Sequence, residues 1–149
     1  MFESLVQAFR QAIVNFRTEL HRGDPPEIAE PSLRAMARDV ALMAARYEML
    51  KAQARATTTE AEGEDQKAET CLRRLELARE IGDEETARVA AGFQERHLRR
   101  RGLLTEKAKL FEREARDREV ELEEMKDRFR ETLRAWETSS TDPGPSGGA

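Results

Sequence analysis

The sequence predicts an all-α protein in which an N-terminal amphipathic helix precedes a long antiparallel coiled-coil hairpin. The first indication is composition: 38% of the 149 residues are charged, 38% are hydrophobic and only 5% are aromatic. Such a mixture, rich in alanine and charged helix formers, favours long helices over a compact globular core. The second is a 3–4 spacing of small and apolar residues that continues for about seven heptads, as in coiled coils.

The first predicted helix covers residues 1–22 and has one strongly apolar face. Its sequence ends at "RGDPPE", where Gly23 suits the left-handed position after a helix and Pro25 and Pro26 cannot continue one. On a helical wheel the apolar side chains share an arc of about 100°. This arc consists of Phe2, Leu5, Val6, Phe9, Ile13, Phe16 and Leu20, with Arg10 and Arg17 at one edge.

Three destinations are open to this face. It can lie flat in a membrane surface, with the apolar arc inserted and the two arginines near lipid phosphates. It can instead fold back on the hairpin, or dock on another subunit. Because the predicted hairpin is thin and rich in alanine, we expect it to offer little complementary surface within one chain. That consideration favours a membrane or an oligomer.

The hairpin is predicted over residues 32–136, after a linker at 23–31. Ser32 suits the N-cap of the second helix. The seam positions of this helix are Leu33, Met36, Val40, Met43, Tyr47, Leu50, Ala54, Thr57, Ala61, Glu64, Ala68, Cys71, Leu75 and Ala78. Threonines and Gly63 weaken residues 56–65, where we expect a loosely packed or bent section.

The hairpin tip is predicted near residues 82–83. Gly82 suits the end of one helix and Asp83 the N-cap of the next, whose positive end Glu84 and Glu85 favour. The seam of the third helix is predicted at His97, Arg101, Leu104, Ala108, Phe111, Ala115, Arg118, Leu122, Met125, Phe129, Thr132 and Trp136. Residues 137–149 are rich in glycine, proline and serine, and we expect them to be disordered.

Charged and nucleophilic residues give no sign of catalysis. His21 and His97 lie in different helices and Cys71 is the only cysteine, so we expect no metal site and no cofactor. The basic stretch "ERHLRRR", residues 95–101, has no interleaved aromatic residue, and we expect no nucleic-acid partner. We interpret it as a solvated face or as a surface pairing with "EAEGED" of another subunit. His97 and Arg101 on the seam hint at such a subunit contact.

The order of these parts resembles the phage shock protein A family, a bacterial branch of the ESCRT-III superfamily. The closest resemblance is at the tip, where Gly82, Asp83, Glu84, Glu85 and Arg88 correspond to a Gly-x-Glu-Asp-Leu-Ala-Arg-like stretch. The resemblance covers residues 1–135, so this chain resembles a short member without the family's C-terminal helices. It implies binding to anionic or stressed inner membranes, self-assembly through the hairpin and, in some relatives, inhibition of an AAA+ transcription activator.

Three functional hypotheses follow. The first is a cytoplasmic scaffold, peripheral on the inner face of the cell membrane, that binds anionic lipid and forms a homo-oligomer or co-assembles with a related subunit. A peripheral location agrees with the length of the longest strictly apolar run, residues 40–45. This run is far shorter than the roughly 20 residues needed to span a bilayer. The second is a coiled-coil adaptor or regulator that binds a protein partner. The third is a structural oligomer that buries the N-terminal face between subunits.

Overall fold

The protein is built from three helices, according to a computed structural model that describes residues 2–141. These are α1 (Phe2–His21), α2 (Pro26–Glu80) and α3 (Glu84–Thr141), and the described residues contain no strand. Side chains are described for all of these residues except Phe2, Pro26, Ser140 and Thr141. The predicted all-α class is confirmed, and α2 and α3 pack against each other in the manner of a helical hairpin.

The end of α1 follows the predicted glycine signal. Gly23 has φ +69°, and its amide donates to the carbonyl of Leu20 at 3.1 Å. The amide of Asp24 donates to the carbonyl of Glu19 at 3.2 Å. These two bonds satisfy carbonyls that the last helical turn leaves without partners, and only glycine adopts such a φ without strain. The chain therefore reverses direction within residues 22–25.

The start of α2 lies six residues before the predicted Ser32. Pro26 occupies the first helical position, where a missing amide hydrogen costs nothing, and the amide of Ile28 donates to the carbonyl of Pro25 at 3.0 Å. Pro31 lies inside the helix, where proline removes one backbone hydrogen bond. The helix continues because Ala29 and Leu33, on either side of Pro31, are buried in the core.

The tip of the hairpin is closed by a glycine and an aspartate. Gly82 has φ +74°, and the amide of Asp83 donates to the carbonyl of Ala78 at 2.8 Å. Asp83 then caps α3, since it accepts the Thr86 hydroxyl at 2.6 Å and the Thr86 amide at 3.1 Å. These bonds, the one from the hydroxyl first, hold the pKa of Asp83 below its ordinary value. Gly82 and Asp83 therefore have their predicted local roles.

The end of α3 lies five residues beyond the predicted Trp136. Residues 137–141, which the sequence assigns to a disordered tail, are helical. Trp136 packs against the core, and the hydroxyls of Thr138 and Ser139 donate to the carbonyls of Arg134 and Trp136 at 2.8 and 2.9 Å. These contacts extend the helix past its last seam residue. The rest of the predicted tail lies outside the described residues.

The chain divides into two compact units. Unit 1 comprises Met1–Tyr47 and Asp117–Ala149, and unit 2 comprises Glu48–Arg116. The core of unit 1 combines all three helices and contains the four largest fully buried side chains: Phe9, Phe16, Met36 and Met43. Partly buried Tyr47, Phe129 and Trp136 pack around it.

Unit 2 contains only α2 and α3, and its seam is lined by small side chains. The buried seam residues define heptad positions a and d. On α2, position a contains Ala54, Ala61, Ala68 and Leu75, and position d contains Leu50, Thr57, Glu64, Cys71 and Ala78. The predicted register of α2 is therefore confirmed. The helix also continues without a break through residues 56–65, and the hydroxyls of Thr57 and Thr58 donate to carbonyls four residues earlier.

Candidate functional site

The apolar face of α1 lies in the core of unit 1. Phe9 and Phe16 are 1% exposed and Ile13 is 5% exposed. The hairpin residues that share their cluster are Ala29, Leu33, Met36, Met43, Leu122 and Met125. The structure therefore has α1 folded back on the hairpin, which was the second of the three destinations. The expectation that the hairpin offers too little surface is wrong.

The other members of the predicted arc follow the same pattern. Leu5, Val6 and Leu20 are partly buried and pack against the same cluster, whereas the side chain of Phe2 lies outside the described part. Val14, which breaks the amphipathic pattern, is 55% exposed. All described residues of the arc thus act together as one surface. Insertion of that surface into lipid stays a prediction, because it requires α1 to leave the hairpin.

Arg10 and Arg17 are exposed at the edge of the buried arc. Arg10 lies with Glu121 and Glu124 in one shallow groove, and both arginines line a second groove with Arg128 and Glu131. Within the described chain, neither Arg10 nor Arg17 forms an ion pair or hydrogen bond. Their charges therefore remain available to an anionic group outside the protein.

The tip residues form a second candidate site. Glu84, Glu85 and Arg88 are exposed in the first turns of α3, and Gly82 and Asp83 set the turn itself. Near the tip, a groove between α2 and α3 is lined by Cys71, Arg74, Thr86, Val89, Ala90, Phe93 and His97. Of these lining residues, Cys71 is a buried free cysteine. A partner for the tip stays a prediction.

A charged cluster interrupts the seam of unit 2. The side chain of Glu64 is 5% exposed, and its Oε2 accepts a hydrogen bond from Nδ1 of His97 at 2.5 Å. Arg100 and Lys67 each approach Oε1 of Glu64 at 3.6 Å, and Arg101 pairs with Asp65 at 2.6 Å. The predicted pairing of "ERHLRRR" with "EAEGED" therefore occurs within one chain. The hint that His97 and Arg101 need a second subunit is wrong.

The cluster keeps Glu64 ionised. The hydrogen bond from His97 is the largest influence that lowers the pKa of Glu64, and the charges of Arg100 and Lys67 act in the same direction against the opposing effect of burial. A carboxyl whose pKa is lowered on folding stabilises the folded state above its ordinary pKa of 4.5, and this stabilisation is lost as the pH falls towards the lowered value.

Glu64→Gln is therefore expected to destabilise the protein at neutral pH. It should also reduce the dependence of the free energy of unfolding on pH below neutral. The measurement is the urea midpoint, followed by circular dichroism, between neutral pH and pH values below the ordinary carboxyl pKa. Glu60→Gln, at an exposed position one turn earlier, is the control and should leave the profile unchanged. Equal profiles for Glu64→Gln and Glu60→Gln would contradict this role.

Within residues 2–141 no group of three histidine, cysteine or acidic side chains is arranged to hold a metal ion. No described helix is both long and apolar enough to cross a bilayer. The candidate surfaces described above are the α1 arc with its arginines, the tip and the exposed faces of α2 and α3.

Sequence reasoning missed the receiving surface for α1. The signal was nevertheless present, because the large seam residues occur where α2 begins and α3 ends, whereas the seam near the tip is mostly alanine. Comparisons with protein-family models, curated proteins and solved structures gave no match to this chain. Its function is therefore inferred from these surfaces.

Proposed function

We propose that the protein is a peripheral membrane-binding, self-associating scaffold in which α1 exchanges the hairpin for a lipid surface. The hairpin is an antiparallel coiled coil of the envelope-stress or membrane-remodelling type, acting at the inner face of the cell membrane. The observation that carries this proposal is the burial of one continuous apolar arc that only the short segment 22–25 joins to α2.

The exchange is feasible because lipid and hairpin offer the arc similar burial. Full burial of one large apolar side chain is worth about 1.5–3 kcal/mol, so Phe9, Ile13 and Phe16 together hold α1 on the hairpin by roughly 5–9 kcal/mol. The acyl boundary of a membrane removes the same side chains from water. The net change in the apolar term for α1 is therefore small compared with either burial alone.

Charge favours the membrane side of the exchange. Arg10 and Arg17 have no ion pair within the described chain, and each can gain about 1 kcal/mol beside anionic lipid. The two arginines stand seven residues apart, which is two helical turns, so both lie at the same edge of the inserted arc. Anionic vesicles should therefore displace α1 more effectively than neutral ones.

Self-association follows from the same exchange. Once α1 has left, Leu33, Met36, Met43, Leu122 and Met125 lose their cover. Exposed apolar surface of this kind promotes association between subunits. A second copy, or a related subunit, can cover it. Lipid binding and assembly are coupled in this proposal, because α1 occupies the assembly surface until lipid removes it.

The experiment is flotation of the full chain with phosphatidylcholine vesicles, with and without phosphatidylglycerol. We expect the wild type to float mainly with the anionic vesicles and Phe9→Glu plus Ile13→Glu to lose at least about tenfold in binding, since each glutamate adds roughly 2 kcal/mol or more of desolvation cost. Val14→Glu is the matched control, because Val14 lies on the exposed side of α1.

Unchanged flotation of Phe9→Glu plus Ile13→Glu would contradict insertion of the arc. If the wild type did not float and instead retained a stoichiometric protein partner, the adaptor hypothesis would replace this proposal. Circular dichroism of each variant shows whether the helices persist, so that loss of binding is not confused with loss of structure.

A further inference from the structure

One surface of unit 2 exposes most of its large apolar side chains. Eight large apolar side chains are exposed in unit 2. Two of them do not belong to this surface, because Leu72 lies at heptad position e and Ile81 lies in the turn at the tip. The remaining six are 46–68% exposed and occupy heptad positions c and g: Met49, Leu77, Val89, Phe93, Leu103 and Leu110. Burial in the seam does not explain these six side chains, since they lie outside positions a and d and are largely exposed.

The same two heptad positions are also basic. Their charged residues are the cations Lys67, Arg74, Arg96, Arg100 and Lys107, and the acids Glu60 and Glu114. Positions b and e, on the other flank of the seam, contain eight acidic and six basic residues. The two flanks of unit 2 therefore differ in charge and in apolar exposure. Positions c and g of residues 48–116 together form a basic–apolar face.

Contacts between α2 and α3 show that both helices contribute to this face. The groove near the tip places Arg74 of α2 beside Val89 and Phe93 of α3. Further along the seam, Lys67 of α2 and Arg100 of α3 converge on the same oxygen of Glu64. The guanidinium of Arg96 lies 5.0 Å from the centre of the Phe93 ring, so cation and apolar surface are adjacent.

We propose that the basic–apolar face is a second lipid-contact surface, which lies against anionic headgroups independently of α1. Apolar side chains separated by cations along a continuous helix suit the boundary between headgroups and acyl chains. Charge complementarity selects an anionic surface, because cations outnumber acids five to two on this face. A protein interface would instead centre on aromatic anchors in dry pockets, and Phe93 is the only aromatic residue of the face.

The proposal extends the proposed function without depending on release of α1. From Val89 to Leu110 the face covers 22 residues of α3, or about 33 Å of helix. A surface of that length can lie against a membrane while α1 is still docked. The two contacts can therefore be removed separately.

The test uses the full chain with Arg96→Glu plus Lys107→Glu. Binding to phosphatidylcholine vesicles that contain phosphatidylglycerol is expected to fall at least about 25-fold, since each lost cation accounts for about fivefold. Lys109→Glu plus Arg113→Glu is the matched control, because it changes the net charge equally at positions outside the face. This control should lose less than about threefold. Equal losses in the two variants would overturn the proposal.

Combination with Phe9→Glu plus Ile13→Glu separates this proposal from the previous one. If binding depends on the basic–apolar face and not on α1, the second contact stands and insertion of α1 is excluded. If binding depends on α1 alone, the proposal for the face is overturned and insertion of α1 stands. Loss of a stoichiometric acidic protein partner, with vesicle binding unchanged, would likewise overturn it.

A spectroscopic measurement tests insertion of the face directly. Phe93→Trp in a Trp136→Phe background places the only tryptophan at a 46% exposed position of the face. Its emission should shift to shorter wavelength when anionic vesicles are added, as the indole leaves water. An unshifted emission with vesicle-bound protein would contradict insertion even if the charge variants bind weakly.

Discussion

Phe16→Ala should lower the free energy of unfolding of unit 1 by about 3–5 kcal/mol, the usual range for loss of a fully buried phenylalanine. Phe16 is 1% exposed and belongs to the cluster that joins α1 to α2 and α3. The cavity lies between helices, so the surroundings can relax only in part. A urea titration followed by Trp136 fluorescence measures the effect, because this single tryptophan packs against the same cluster.

Val14→Ala is the control for Phe16→Ala. It removes an apolar side chain from the same helix at a position that is 55% exposed, and the expected change is within about 0.5 kcal/mol. Similar urea midpoints for the two variants would mean that α1 does not share in the cooperative unfolding of unit 1. The fold-back contact would then be too weak to regulate access to the arc.

Much of the hairpin could be predicted from the order of residues along α2 and α3. The 3–4 spacing placed Leu50, Cys71 and Leu75 in the seam, where all three are buried. The position of the tip could also be predicted, because the left-handed φ of Gly82 and the capping bonds of Asp83 depend on neighbouring residues only. Periodicity and capping are local properties, and a single sequence displays them directly.

The destination of α1 could not be predicted from the same kind of evidence. The arc of Phe9, Ile13 and Phe16 is equally apolar whether it faces lipid, another subunit or the hairpin. Its docking depends on Met43 and Met125, residues far away in sequence that come together only after the hairpin has formed. The expectation of a thin hairpin treated the seam as uniformly rich in alanine, whereas its larger side chains are concentrated at one end.

Two helix ends also differ from the prediction for tertiary reasons. Pro31 is a poor helix residue, yet burial of Ala29 and Leu33 keeps α2 helical from Pro26. At the other terminus, Trp136 packs on the core and α3 continues to Thr141 through residues of low helix propensity. Packing outweighs local preference at both ends.

The partners of the basic stretch, residues 95–101, depend on how α2 and α3 are aligned with each other. Glu64 and His97 are 33 residues apart, and both were predicted on the seam. A single sequence does not reveal which seam residues lie opposite each other. The contact of His97 with Glu64 supplies that information, and it accounts for a histidine and a glutamate at positions that usually contain leucine.

Anionic lipid is expected to draw α1 away from the hairpin. Energy transfer from Trp136 to a dansyl group at position 15 measures this displacement in a full chain with Asn15→Cys and Cys71→Ala. Asn15 is exposed on α1, and Trp136 packs against the cluster to which α1 contributes. Anionic vesicles should reduce the transfer to less than about half, because α1 gains about 1 kcal/mol per arginine by leaving. Neutral vesicles should have little effect. Unchanged transfer in vesicle-bound protein would contradict the claim, since α1 would then remain on the hairpin.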